Sequence, residues 1–543
     1  MNTRWQRYRP IVTQVWQLGL PVIFTNLLMT LVNVVDVFMV GRLGPIEIAA
    51  VGMGQTIRML VLIAVLSVTA GSMALAAQAK GARDPQRLSF VARQSLSLTV
   101  LLGLVLSVLG FVGAKPLLTF LNSGGDPEVV AIGTTYLRIL FLGTVFLNLN
   151  FVINSLMQGA GDTLTPLYLV GGVNVLNVGL NYALIFGLGP IPAMGVSGAA
   201  IGTISSRVVG GVIGIIILYS GKNVVRLLAG SFRPDWSMFR DLLGIGVPSG
   251  LQGIFRNTGQ LLVLRIISST AAGTYGITAL AIGFQIASLS FMPGLAMSVA
   301  ATSLVGQALG AWQVKEAHLR GTIAIVLGIV VMSSIAVPLI VFARQLVLLF
   351  EPSAHPTVVA AGTSYLRIVS IAQPILAIAM VTNGTLRGAG DTRPGLIGTF
   401  VGRWLIVVPL AYVLALTLDL GVVGVWWALV AGTVFQAGYV LLRWQSRRWV
   451  RIALHKTEIY RRHLHALNDG VRERYLSEVR ARLMAQPLVS EHVTPDGVTY
   501  QTKQGDVSVR FSDGHYLVTG AFPGAPQGEK GLGRNHPRAR AAD

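Results

Sequence analysis

Long apolar stretches alternate with short polar ones along this chain, and twelve of the apolar stretches are long enough to cross a bilayer. A spanning helix needs about 20 mostly apolar residues. That length predicts helical spans over roughly residues 14–40, 46–78, 90–113, 129–158, 164–187, 195–219, 241–268, 274–306, 319–343, 357–386, 394–417 and 421–443. Several are longer than a perpendicular crossing requires, which implies tilt or extension beyond the hydrocarbon. The residues before the first span are polar and basic. The apolar stretch that follows has no small-residue cleavage site, so it reads as a retained helix and not as a signal peptide. The pattern predicts an all-α polytopic membrane protein.

The spans fall into two copies of six. Pro127–Arg138 matches Pro356–Arg367 at nine of twelve positions. Gly159-Ala-Gly-Asp-Thr163 recurs as Gly388-Ala-Gly-Asp-Thr392, and Gly81-Ala82 as Gly310-Ala311. All three pairs are offset by 229 residues, and Gly19-Leu-Pro21 recurs as Gly246-Val-Pro248 at an offset of 227. A shared composition would not keep the offset constant, so the chain is an internal duplication. Six spans per copy is an even number, which predicts parallel halves related by an axis along the membrane normal. The expected organisation is a lobe over 1–219, a charged linker over 220–240, a second lobe over 241–443 and a basic tail over 444–543.

Composition agrees with a chain facing lipid. The sequence is 53% hydrophobic and 12% charged, against about 25% charged in soluble domains. Cysteine is absent, which excludes disulfides, thiolate metal sites and cysteine nucleophiles. The net charge of +20 falls in loops and in the tail. With a cytoplasmic N-terminus, inner segments hold fifteen Lys and Arg and outer loops hold three, Arg42, Lys115 and Arg344. That asymmetry predicts both termini inside, in a bacterial inner membrane, and no nucleic-acid partner. Residues 443–486 suggest a basic surface helix, 493–519 alternate as in a hairpin or meander, and the last twenty or so resemble a disordered segment.

Chemistry is sparse. Of twelve acidic residues before the tail, only Asp36 lies well inside a span. An ionised side chain at the bilayer centre costs about 2.5–3.5 kcal/mol on insertion scales, and such residues tend to be functional. A lone carboxylate is therefore a candidate proton or cation carrier; the plainer reading is a structural pair with Arg58 or Arg207. At 100° per residue Thr25, Met29, Asn33 and Asp36 share one face, as do Asn174, Asn177 and Asn181 in the fifth span. Asp36, Asn177, Asn181 and Thr203 fall at similar depth, so a polar cluster inside the first lobe is expected. Taken singly, such amides and hydroxyls often serve as interhelical hydrogen-bonding glue. The second lobe has no intramembrane carboxylate. Gln252, Arg256, Gln285 and Arg403 are its candidate cavity residues, and bonding to backbone carbonyls is their alternative. Pro21 and Pro248 each remove a backbone donor from the first helix of a lobe and are candidate hinges. Phosphate-binding loops and intramembrane His clusters are absent from the sequence. ATP-driven pumping and transferase chemistry are disfavoured, and no cofactor is expected.

Val35-Asp36-Val-Phe-Met-Val-Gly41-Arg42-Leu43-Gly44, the repeated Gly-Ala-Gly-Asp-Thr, and Asn177 and Asn181 followed by Gly-Val-Ser-Gly-Ala-Ala-Ile-Gly-Thr203 resemble the multidrug and toxic compound extrusion (MATE) family. The resemblance spans about residues 12–443. It implies two six-helix lobes around a central cavity, in a monomer that exports amphiphilic or cationic compounds against a proton or sodium gradient. An acidic residue fifteen positions after a first-helix proline is similar to the DNA-damage-inducible-protein-F-like branch. There the carboxylate works with a fifth-helix Asn and a sixth-helix Thr, matched here by Asn177 and Thr203, which with Asp36 would also be the candidate sodium ligands. Relatives often carry Asp at the position of Asn181. One carboxylate fewer weakens a sodium site, so proton coupling is the expectation. The alternative is a lipid-linked glycan flippase of the same superfamily, for which Arg256 and Arg403 would suit a pyrophosphate head group.

Overall fold

The computed structural model describes residues 2–122, 125–450 and 452–453, together with four strands between 488 and 519. It divides into two units, residues 1–455 and 456–543.

Every predicted span in the first unit is helical. The first half contains α1 (Asn2–Gly41), α2 (Pro45–Gly81), α3 (Pro85–Leu121), α4 (Pro127–Leu142), α5 (Thr144–Gly159), α6 (Leu164–Phe186) and α7 (Gly195–Tyr219). The second half repeats the order with α8 (Trp236–Ser268), α9 (Gly273–Gly310), α10 (Val314–Val341), the short α11 (Ala343–Phe350), α12 (Pro356–Ile371) and α13 (Gln373–Gly388). Its fifth span is built from α14 (Arg393–Phe400), a π-helical stretch Val401–Val407, α15 (Val408–Tyr412) and a second π stretch Val413–Thr417. The last span is α16 (Gly421–Gln445).

Two spans are bent. α4 meets α5 at 51° and α12 meets α13 at 54°. The second break lies at Ala372, just before Gln373-Pro374, whose proline cannot donate to the preceding turn. The first lies at Gly143, which a Cβ would drive against Ile204 at 2.5 Å. Eight described helices are long and apolar enough to cross a membrane, and the bent pairs bring the number to ten. With α2 and α8, of 37 and 33 residues, each half has six spans.

Several acidic residues at helix ends act as caps. Asp84, Asp126 and Asp235 accept the backbone N–H of Arg87, Glu128 and Met238, each at 2.8 Å. A side-chain oxygen there satisfies a donor that the first turn cannot. Capping explains why these carboxylates sit at span ends and leaves Asp36 in a different class.

The halves interlock through their first two helices. α1 packs on α9, and α2 packs on α8 and α9. At the crossing of α2 and α9 a Cβ on Gly81 would collide with the carbonyl of Gln307, and one on Gly310 with the carbonyl of Gln78. Gln78 and Gln307 are themselves 229 positions apart, so the contact is reciprocal about the duplication axis. The segment between α7 and α8 lies along α3, where Arg93 Nη1 donates to the Leu228 carbonyl at 2.6 Å and Gln94 Nε2 to that of Arg233 at 2.8 Å.

Beyond α16 the chain stays packed on this unit: Trp449 is fully buried and stacks on Trp444 with ring centroids 4.5 Å apart. Most of the expected basic surface helix, and the segment after Thr519, lie outside the described residues. The second unit carries an antiparallel meander, β1 (Leu488–Thr494), β2 (Gly497–Thr502), β3 (Gly505–Ser512) and β4 (His515–Thr519), in that spatial order. Tyr500 pairs with Val507 and Val509 with Val518.

Candidate functional site

The first half encloses a cavity of about 210 Å³ between α1, α2, α4, α5, α6 and α7. Asn33, Asp36, Arg58, Asn181, Thr203 and Arg207 line it. α1 delivers the carboxylate because it is one unbroken helix from Asn2 to Gly41, passing through Pro21. Met29, Asn33 and Asp36 therefore present the face read from their spacing. Thr25 on the same face is buried and bonds the Pro21 carbonyl at 2.8 Å, so it belongs to the helix and not to the cavity.

Asn181 Nδ2 donates to Asp36 Oδ1 at 2.8 Å. A carboxylate only accepts, so the amide must turn its nitrogen toward it. Asn177, one turn earlier on α6, donates to Thr203 Oγ1 at 3.5 Å. The four residues form two linked contacts, with Asn181 and not Asn177 on the carboxylate. Asn174, Asn177 and Asn181 are all buried, and the side-chain amide of Asn174 has no hydrogen-bond partner among the described residues.

Arg58 and Arg207 face the same cavity and act on Asp36 through space. Neither forms an ion pair with it within 4.0 Å, in contrast to pairs such as Arg320–Glu316 and Arg443–Asp391. The carboxylate is held by an amide and faces two guanidiniums across open space. Tyr136, Gln55, Asn150 and Asn154 also line the cavity and were not singled out from sequence. Asn150 Nδ2 donates to the Arg207 carbonyl at 2.8 Å and so fixes the backbone that carries the guanidinium. The signal for this group was present in the fourth span, where Asn150 and Asn154 stand four apart on one helical face.

The second-half candidates do not assemble around a carboxylate. Gln252 Nε2 and Gln436 Nε2 both donate to Thr399 Oγ1 at 2.9 Å. Arg403 lies in the first π stretch, its Nη1 is buried without a partner among the described residues, and it repels Arg256 through space. Gln285 is exposed on α9 and joins neither group.

Comparison with known proteins follows the duplication. The model of the family described as MatE matches residues 21–183 and 248–413, more than half of the chain, and its two matches begin at Pro21 and Pro248. The chain belongs to the MatE family. It is 30% identical over 440 residues to "Probable multidrug resistance protein NorM" of Thermotoga maritima, covering 81% of this chain and 93% of that protein. It is 29% identical to "Multidrug resistance protein NorM" of Burkholderia vietnamiensis, covering 79% and 92%. Among solved structures, the outward-facing conformation of a multidrug resistance MATE family transporter superposes with a TM-score of 0.74 at 26% identity, covering 80% of this chain and 96% of that one. This MatE protein is thus an integral, multi-pass membrane transporter with two six-helix lobes, and the two relatives above bear multidrug-resistance names.

Proposed function

We propose that this MatE protein is a secondary antiporter that exports amphiphilic organic compounds in exchange for protons, with Asp36 as the proton carrier. The observation that carries the reading is the placement of the one intramembrane carboxylate in a cavity of the first half, on the amide of Asn181. Protonation removes the charge that orders Asn181 and that Arg58 and Arg207 feel. The balance among α1, α6 and α7 then changes, which biases alternation between inward- and outward-open states.

The amide at Asn181 favours protons over sodium. A sodium ion wants oxygen ligands, and the group nearest the carboxylate presents N–H. A sodium site would have to use Asp36 with Asn177 and Thr203, whose side chains are bonded to each other. The first-helix carboxylate and the absence of one in the second half also support the DNA-damage-inducible-protein-F-like branch. The reading includes a monomer in a bacterial inner membrane with both termini cytoplasmic.

A lipid-linked glycan flippase is the second reading, favoured by the cations Arg256 and Arg403, neither of which has an ion pair among the described residues. Lipid scrambling by the purified protein would support it. The deciding experiment is reconstitution in liposomes with an imposed pH gradient and no sodium. Dye-dependent collapse by the wild type, lost in Asp36→Asn, is expected; no collapse with well-reconstituted wild type defeats the proton-exchange reading.

A further inference from the structure

The cavity that holds Asp36 carries more positive charge than negative. Arg58 and Arg207 line it with the single carboxylate. The two guanidiniums repel each other. Among the described residues neither has a side-chain hydrogen bond or ion pair, and Arg207 Nε is buried without a partner. Both are half-buried, and a guanidinium does not escape such burial by losing its proton, so it calls for an anion or acceptor beside it. Asp36 answers one of the two charges. Among the described residues nothing pairs with the other.

The second half repeats the sign. Arg256 and Arg403 lie within its spans, no carboxylate does, and Arg403 Nη1 is likewise buried without a partner among the described residues. In the first-half cavity the guanidiniums thus outnumber the carboxylate two to one. A transporter shaped only for organic cations would not retain that imbalance against its own substrate.

We propose that Arg58 and Arg207 form an anion-binding subsite beside Asp36, and that the preferred substrates are zwitterionic amphiphiles. Their carboxylate- or phosphate-type group sits on the guanidiniums and their amine at Asp36. The proposal rests on the proton-exchange reading above. Planar guanidiniums hold such oxyanions through paired, charge-assisted hydrogen bonds.

Exchange requires the proton and the substrate to compete for one group. A purely anionic substrate fails this, because protonating Asp36 raises the net charge of the three groups from one positive to two and so favours the anion. Proton and anion would then bind together, a coupling of the wrong sign for exchange. A cationic amine does compete with the proton at Asp36. The zwitterion satisfies both demands, with its amine coupled to the proton and its anion anchored on groups that do not titrate.

The test uses the purified full-length protein, rhodamine B, which carries a free carboxylate beside its cationic ring system, and its ethyl ester, which lacks the anion. Binding is followed by fluorescence anisotropy, and exchange by collapse of a pH gradient in liposomes. The wild type is expected to bind the acid about tenfold more tightly than the ester, the scale of one charge-assisted contact. Arg58→Gln should erase that preference and raise affinity for the ester, because a repelling charge is gone. Arg207→Lys, which keeps the charge but not the fork, should narrow the preference, and it guards against a folding defect in Arg58→Gln. Equal affinities for acid and ester in the wild type, or an equal loss for both dyes in Arg58→Gln, overturn the subsite. Gradient collapse with the ester alone would do the same while leaving proton exchange standing. Collapse with neither dye would defeat the exchange reading, and the anisotropy preference would then decide the subsite by itself.

Discussion

Thr163 donates its hydroxyl to the backbone carbonyl of Gln17 at 3.4 Å. That carbonyl is the one Pro21 leaves without its intrahelical donor, four residues on. In the second half Thr392 bonds the Ile245 carbonyl at 2.8 Å, one residue past the group freed by Pro248. The two repeated motifs are therefore parts of one joint. The remaining letters of Gly-Ala-Gly-Asp-Thr serve it too. The carbonyls of Gly159 and Gly388 accept from Gln307 and Gln78 of the opposite half, at 3.3 and 3.0 Å. Gly161 and Gly390 turn the chain at φ of +89° and +77°, where a side chain is strained. Asp162 accepts the Thr165 N–H at 3.0 Å, and Asp391 pairs with Arg443 at 3.1 Å.

Thr163→Val keeps the shape and removes the donor. A part-buried carbonyl left without its partner costs up to about 1–3 kcal/mol, so the thermal midpoint of the purified protein should fall, while Thr163→Ser should hold it. A valine variant as stable as the wild type would mean that the bond is incidental to the proline turn.

Asp36→Asn should abolish proton exchange and leave folding intact, because an amide can still meet Asn181. Asn181→Asp should have the opposite character. It places a second carboxylate against the first, next to Thr203 and Asn177, and so adds oxygen ligands where an amide N–H now stands. Sodium-dependent transport should appear or strengthen. An Asn181→Asp protein indifferent to sodium would count against this cluster as the cation site.

The reciprocal glycines at the crossing of α2 and α9 have no room for a side chain. Gly81→Leu or Gly310→Leu forces the two backbones apart against Gln307 and Gln78. Overpacking typically costs about 1–3 kcal/mol, and here it also changes the contact between halves. Both variants should unfold at lower temperature, measured by scanning fluorimetry, and the double variant should lose less than the sum, because one separation relieves both clashes. Full additivity would show that the two contacts do not share an interface.

Hydropathy made the spans legible because lipid solvates a helix by apolar length alone. It was blind to the bends, since Gly143 and Gln373-Pro374 lie inside continuous apolar runs and chain direction leaves no mark on composition. Asp36 stood out because every other acidic residue before the tail fell in a loop or at a span end, several of them as caps. Its partner did not, because Asn177 and Asn181 occupy one face of α6 a single turn apart, and spacing cannot say which reaches the carboxylate. Arg58 and Arg207 were legible as charges. That they face Asp36 without pairing depends on the separation of α1, α2 and α7, which no local pattern encodes.

The expected lobe-to-tail boundary at 443 and 444 can be probed by truncation. α16 runs to Gln445, and beyond it Trp449 and Ala453 are still buried, with Trp449 Nε1 donating to the Trp444 carbonyl at 2.9 Å and His318 of α10 stacked on Trp444. Ending the chain after His455 keeps this aromatic stack, so the truncated protein should match the full chain in thermal stability and in dye-dependent gradient collapse. Ending it after Leu442 removes both tryptophans from the end of α10. Losing a large buried aromatic costs about 3–5 kcal/mol in cores, so this shorter form should unfold at markedly lower temperature or fail to accumulate in the membrane. Equal stability of the two truncations would show that residues 443–455 are dispensable packing, and would place the functional end of the transporter at Leu442.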